Sequence, residues 1–191
     1  TTIFGWRKAS DHMIGVNQIE SVLHEHEYGD YKWLDPQDIV VAQWVRMKCE
    51  FGCASYGKVA SCPPNAPTVE ECQRFFSDYK RALVLHFQKI APEKTVRKTW
   101  SARTNLKLVK LEHAIFKAGY HKAFLLFMDS CEICAECVPA RADCKEPKLS
   151  RPTAEGMAVD VFSTVRKLGY PIEVLTDINQ VMNRYAFLMV E

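Results

Sequence analysis

Cysteines recur at every third position, Cys131, Cys134 and Cys137, in the stretch "DSCEICAECVPARADCKEP" (Asp129–Pro147), directly after the apolar run "KAFLLFM" (Lys122–Met128). A short apolar run of this kind reads as a buried strand. The chain must therefore leave its core straight into a loop that carries thiols on a fixed schedule. Cys144 follows six residues later, which places four of the eight cysteines within this one loop.

The chemistry that asks for such spacing is metal binding. Three evenly stepped thiols let one short irregular loop wrap several corners of a compact cubane, as the C-x2-C-x2-C run of bacterial ferredoxins does. A [4Fe–4S] cluster on Cys131, Cys134, Cys137 and Cys144 is the leading expectation. The ferredoxin run ends C-x3-C-P, and its fourth cysteine serves another cluster, so Cys144 matches less closely than the first three. Structural zinc is the main alternative, although zinc sites are usually built from two C-x2-C pairs set apart by a longer spacer. Unliganded or redox-active thiols are the third. In α/β sheets functional groups gather at the carboxyl ends of strands, which is where this loop begins.

A second set lies upstream in "KCEFGCASYGKVASCPPNAPTVEEC", with Cys49, Cys53, Cys62 and Cys72. Gly52 and Gly57 permit tight turns, and Pro63, Pro64 and Pro67 stiffen the return, so the segment reads as a folded loop. Cys72 falls in the first turns of a helix, where the dipole favours a thiolate; core packing is the plainer account of it. Eight thiols suffice for two fully ligated clusters, and six or seven leave one iron open.

The rest of the chain indicates an α/β or α+β fold, a mixed sheet of about four or more strands with flanking helices and cysteine-rich metal-binding loops. Besides Lys122–Met128, the runs "RALVLHF" (Arg81–Phe87), "PIEVL" (Pro171–Leu175) and "RYAFLMV" (Arg184–Val190) read as strands. Between the first two strands, Leu108, Leu111, Ile115 and Ala118 share a helical face ending at Gly119, which completes a βαβ unit. Thr68 and Glu71 fit a capping box. A further helix is expected from Thr153, with Ala158, Val161, Phe162 and Val165 as its apolar face, closing at Gly169 and Pro171. Residues 15–29 fit a helix, whereas "DIVVAQWVRMKC" (Asp38–Cys49) fits neither period. One metal-binding domain over residues 1–191 is expected, with 1–44 its least legible part.

With a net charge of +2 the chain has no strong field for nucleic acid or an anionic membrane. It lacks an apolar run long enough to span a bilayer and a secretory signal, so the cytoplasm is the expected location. Six histidines are scattered, and His24 and His26, two apart, cannot share a helix face. They read as surface or satisfied core histidines. The basic stripe Arg97, Lys98, Arg103, Lys107 and Lys110 reads as a solvated face, or else as a docking face for an acidic redox partner. Arg151 is a candidate anion holder, with helix capping as the plainer account. Dinucleotide, phosphate-loop, serine-hydrolase and zinc-protease motifs are missing.

Taken together, "VRMKCEFGCASYGKVASCPPNAPTVEEC", "YKRALVLHF", "LEHAIFKAGYHKAFLLFMDSCEICAEC" and "CKEPKLSRPTAEGMAVDVFSTVRKLGY" resemble a prokaryotic family of predicted metal-binding proteins, a domain of unknown function frequent in anaerobes. The likeness runs from Val45 to Tyr170. It implies metal binding at Cys49, Cys53, Cys62, Cys131, Cys134, Cys137 and Cys144, and its anaerobic association favours iron and sulfide over zinc. Three functions remain open. The first is electron transfer to, or redox activation of, a partner protein. The second is an enzyme using an open iron as a Lewis acid in elimination or desulfuration. The third is a zinc-bearing interaction module.

Overall fold

The computed structural model describes residues 4–191, with side chains from residue 15 onward. In chain order the elements are α1 (Phe4–Glu25), β1 (Tyr31–Leu34), α2 (Gln43–Gly52), α3 (Val69–Ser77), β2 (Ala82–Lys89), α4 (Lys94–Lys117), β3 (Phe124–Leu126), α5 (Val161–Lys167) and β4 (Met182–Met189). The strands form one sheet in the order β1-β2-β4-β3, with every neighbouring pair antiparallel. Strands β2 and β3 therefore run parallel with β4 between them. The expected βαβ unit is present in split form, β2-α4-β3. Among the described residues, no helix is long and apolar enough to cross a membrane.

Strands buried on both faces explain the near-continuous apolar runs of β2 and β4. On one face, Val84, Tyr185, Phe187 and Leu126 pack with Cys72 and Phe76 of α3 and Val161 and Val165 of α5. On the other, Leu83, Leu85, Leu125 and Leu188 meet Ile19 and Leu23 of α1 and Leu108, Leu111 and Ile115 of α4. Thus α1 and β1 join the layers formed by the rest of the chain. The Thr68–Glu71 capping box is present at α3, and Gly119 and Gly169 take positive φ just past α4 and α5, as glycine readily does.

Three expectations are corrected. Residues 171–175 form no strand. Pro171 offers no donor, Val174 is 75% exposed, and the segment crosses the mouth of a cleft, tied by Arg166 Nη2 to the Ile172 carbonyl and by the Tyr185 hydroxyl to the Pro171 carbonyl. The fourth strand is instead the short "YKWL" of β1. The helix expected from Thr153 starts at Val161, because Ala158 sits in the left-handed region at φ 59 and interrupts it; Asp160, not Thr153, caps α5 by accepting from the Ser163 amide. The upstream cysteine segment begins as helix, since Cys49 lies on α2 and Cys53 is its C-cap.

Candidate metal centre

The downstream thiol loop is a closed excursion from the sheet. It leaves after β3 and returns where Phe127 pairs with Thr153, the Phe127 amide donating to the Pro152 carbonyl at 2.8 Å. Its outgoing end is fastened to α4: Ser101 Oγ donates to Asp129 Oδ2 at 2.9 Å, and Asn105 Nδ2 donates to the carbonyls of Asp129 and Ser130. Its returning end is held by Arg151, which donates to both oxygens of Glu112 at 3.0 and 2.6 Å. Glu112 is only 4% exposed and also accepts the Leu125 amide at 2.8 Å. A paired, hydrogen-bonded buried charge of this kind is tolerated where an unpaired one is not. Arg151 is thereby a structural pin.

Between those ends, Cys131, Cys134, Cys137 and Cys144 line a single cavity of about 10 Å³, together with Ser150. Lys98, from the basic stripe on α4, meets Glu132 at 3.3 Å and the Ala135 carbonyl at 3.4 Å. The upstream loop braces the same segment. Asn65 donates to the Pro139 carbonyl at 2.6 Å and accepts the Arg141 amide. The Ala60 amide points at Cys137 Sγ, 3.5 Å away.

Three of the four upstream cysteines share a different wall. Cys49, Cys53 and Cys62 line a cleft of about 360 Å³, a volume in the range of small-molecule sites. The cleft opens where β3 ends and β4 begins, with Asp129, Glu155, Asn183 and Arg184 as polar groups and Phe162, Ile172 and Leu175 among the apolar ones. Cys72 is elsewhere. It is fully buried in the core beneath α3, its thiol directed to the Pro67 carbonyl at 3.7 Å.

Cys62 connects the two sets. Burial pushes its thiol up to about 12, and the neighbouring Cys49, Cys53, Cys131 and Cys137 add to the push. Burial also raises Cys131, against which Ser150 and the Ile133 amide act as donors to its sulfur. Cys49 is raised by burial and by Cys53, while Arg46 opposes the shift. Desolvation by the surrounding protein raises the carboxyl of Glu155, and Asp129 adds to the push, although the residue is in part exposed.

Among the described residues, no three His, Cys, Asp or Glu side chains close onto a single metal position. The thiols ring their cavities without converging. The donor set fits a thiolate-bound metal in kind: soft sulfur ligands on short loops, with amide and hydroxyl donors aimed at sulfur, the type of outer contact that tunes such centres.

Sequence reasoning did not find Asp129, Glu155, Asn183 or Arg184. They come from three separate segments and meet only at the end of the sheet, so no local spacing announces them. Among the histidines, His86 is a satisfied core residue, with Nδ1 2.7 Å from Asp30 Oδ2, Nε2 2.8 Å from Asn183 Oδ1, and Tyr185 stacked on its ring.

Residues 32–190 match the family described as "Predicted metal-binding protein (DUF2284)", and the chain belongs to it. The match extends beyond the cysteine motifs to take in β2, β3, β4 and all of β1 but Tyr31. No curated protein matches the chain, and no solved structure does.

Proposed function

We propose that this metal-binding protein is an iron–sulfur protein of the [4Fe–4S] type, passing single electrons to a partner protein or activating it by reduction. One cluster is assigned to Cys131, Cys134, Cys137 and Cys144, and a second centre to Cys49, Cys53 and Cys62. The observation that carries the reading is the contact between the two cysteine loops: the Ala60 amide, two residues before Cys62, points at Cys137 Sγ at 3.5 Å, and Asn65 is hydrogen-bonded to Pro139 and Arg141. Two adjacent sulfur-rich sites suit a relay better than a lone structural staple, because electrons move between neighbouring centres while a staple needs only one. Donors to Cys131 and Cys137 supply the hydrogen bonds by which a protein sets cluster potential.

A second reading is favoured by the cleft. An upstream centre with an open coordination position, facing about 360 Å³ of space, is placed to bind a substrate as a Lewis acid, as elimination or desulfuration requires. The test common to both is metal and sulfide analysis of protein purified without oxygen. Iron with acid-labile sulfide, brown colour and bleaching on reduction are expected. Zinc without sulfide would overturn the iron–sulfur reading in favour of a zinc module, an outcome that the small downstream cavity would suit. Between the two iron readings, a spectral change on adding a small exogenous ligand marks an open iron, and reversible reduction without such a change marks electron transfer.

A further inference from the structure

We infer that the upstream centre takes Glu155, not Cys72, as its fourth protein ligand. The inference rests on the reading of Cys49, Cys53 and Cys62 as a metal centre, and it assigns that centre an exchangeable side facing the cleft.

Glu155 shares two cavities with the upstream thiols. It lines the main cleft with Cys49, Cys53 and Cys62, and a neighbouring surface groove with Cys49, Cys53 and Trp44. The turn that carries it is bolted to the helix that carries Cys49. Arg46 of α2 donates to the Gly156 carbonyl at 3.0 Å, the Ala42 amide donates to the Ala158 carbonyl at 2.9 Å, and Val41 pairs with Val159. Within the turn, the Gly156 amide donates to Thr153 Oγ1 at 2.9 Å, and a Cβ at Gly156 would press on that oxygen at 3.3 Å. The backbone that carries Glu155 is therefore fixed against α2, the helix that carries Cys49.

Cys72 has no such access. It is 0% exposed among the apolar residues of α3 and the sheet, and it lines neither the cleft that holds the other three nor the groove that holds Cys49 and Cys53. Bringing it to them would mean unpacking α3. A carboxylate oxygen is a harder ligand than a thiolate and holds iron less firmly, so a centre ligated by three cysteines and one glutamate can release that glutamate to an incoming ligand. The apolar wall of Phe162, Ile172 and Leu175 would then border the opened position, which suits a small ligand with one donor atom and an apolar body.

The test compares anaerobically prepared holoprotein variants by bound metal, by sulfide, and by the electron paramagnetic resonance spectrum after reduction. Cys53→Ser sets the reference and should lose about half the metal if each of two cubanes brings four irons. Cys72→Ala should keep the wild-type metal content and spectrum. Glu155→Gln should change the spectrum of the centre that Cys53→Ser removes, and Glu155→Cys should restore a stable centre with a thiolate-like spectrum. Circular dichroism verifies that each variant is folded. A folded Cys72→Ala that loses the same metal as Cys53→Ser overturns the assignment, as does a Glu155→Gln with an unchanged spectrum. No metal lost from Cys53→Ser overturns the upstream centre itself, a result distinct from either.

Discussion

The two cysteine regions are held in place by opposite means. Downstream, all four thiols sit on irregular backbone outside the core, and the loop is located by polar bonds at its ends: Ser101 and Asn105 on one side, Glu112 and Arg151 on the other. Upstream, the thiols ride on or beside secondary structure, Cys49 on α2, Cys53 at its cap and Cys72 inside α3. The difference teaches that motif spacing marks a site most clearly where the backbone is free to bring neighbours in sequence together. Where helices intervene, cysteines close in sequence can face different ways, as Cys72 and Cys62 do.

The largest expected effect breaks the downstream anchor. Glu112→Ala leaves Arg151 without its carboxylate partner and the Leu125 amide without its acceptor, and should cost about 3–5 kcal/mol by denaturant unfolding. It should also loosen metal held by Cys131–Cys144 before metal held upstream. Metal lost equally from both regions would show that they form one shared centre.

Next in size, Cys134→Ser should empty the downstream centre, since the middle thiol of the run has no substitute within the loop. Cys144→Ser should be milder, because a cluster can keep three protein ligands and recruit an exogenous fourth. Equal loss of iron in the two variants would make Cys144 an obligatory ligand.

A smaller change separates core from site. Cys72→Ala removes one buried atom and should cost about 1 kcal/mol through the space it leaves, with metal content intact. Asn65→Ala tests the brace between the regions. Losing its bonds to Pro139 and Arg141 should cost about 1 kcal/mol and make the 131–144 loop a faster target for proteolysis. Loops that are cut at the wild-type rate would show that the brace is idle.

The smallest effect is one of order. In metal-free protein at pH 8, an alkylating reagent should modify exposed Cys53 and Cys137 first and buried Cys72 last. The Cys62 thiol, pushed up by burial, stays protonated at that pH and should lag behind Cys53. Mass spectrometry of timed samples reads the sequence of events. Early modification of Cys72 would mean that α3 opens readily.

Much of the scaffold was legible because its signals are local. The apolar runs of β2 and β4, the face of Leu108, Leu111 and Ile115, the capping box at Thr68 and the glycines ending α4 and α5 each depend on residues within a few positions of one another. "PIEVL" misled because its composition is that of a strand while its backbone lies over the cleft; apolarity reports a preference for burial, not the partner that supplies it. The helix expected from Thr153 failed at Ala158, whose left-handed backbone turns the chain into the pairing of Val159 with Val41. That pairing is remote in sequence.

The sequence by itself determined that the chain would place layers of helix on a sheet and carry thiols spaced for metal, since period, capping and thiol spacing are written in near neighbours. Only the tertiary structure decided that β4 would separate β2 from β3, that Cys72 would turn into the core, and that Asp129, Glu155 and Arg184 would meet Cys49, Cys53 and Cys62 in one cleft. Those outcomes depend on which distant surfaces bury each other. Burial is non-directional and blind to sequence separation, so the residues it brings together leave no trace in local spacing.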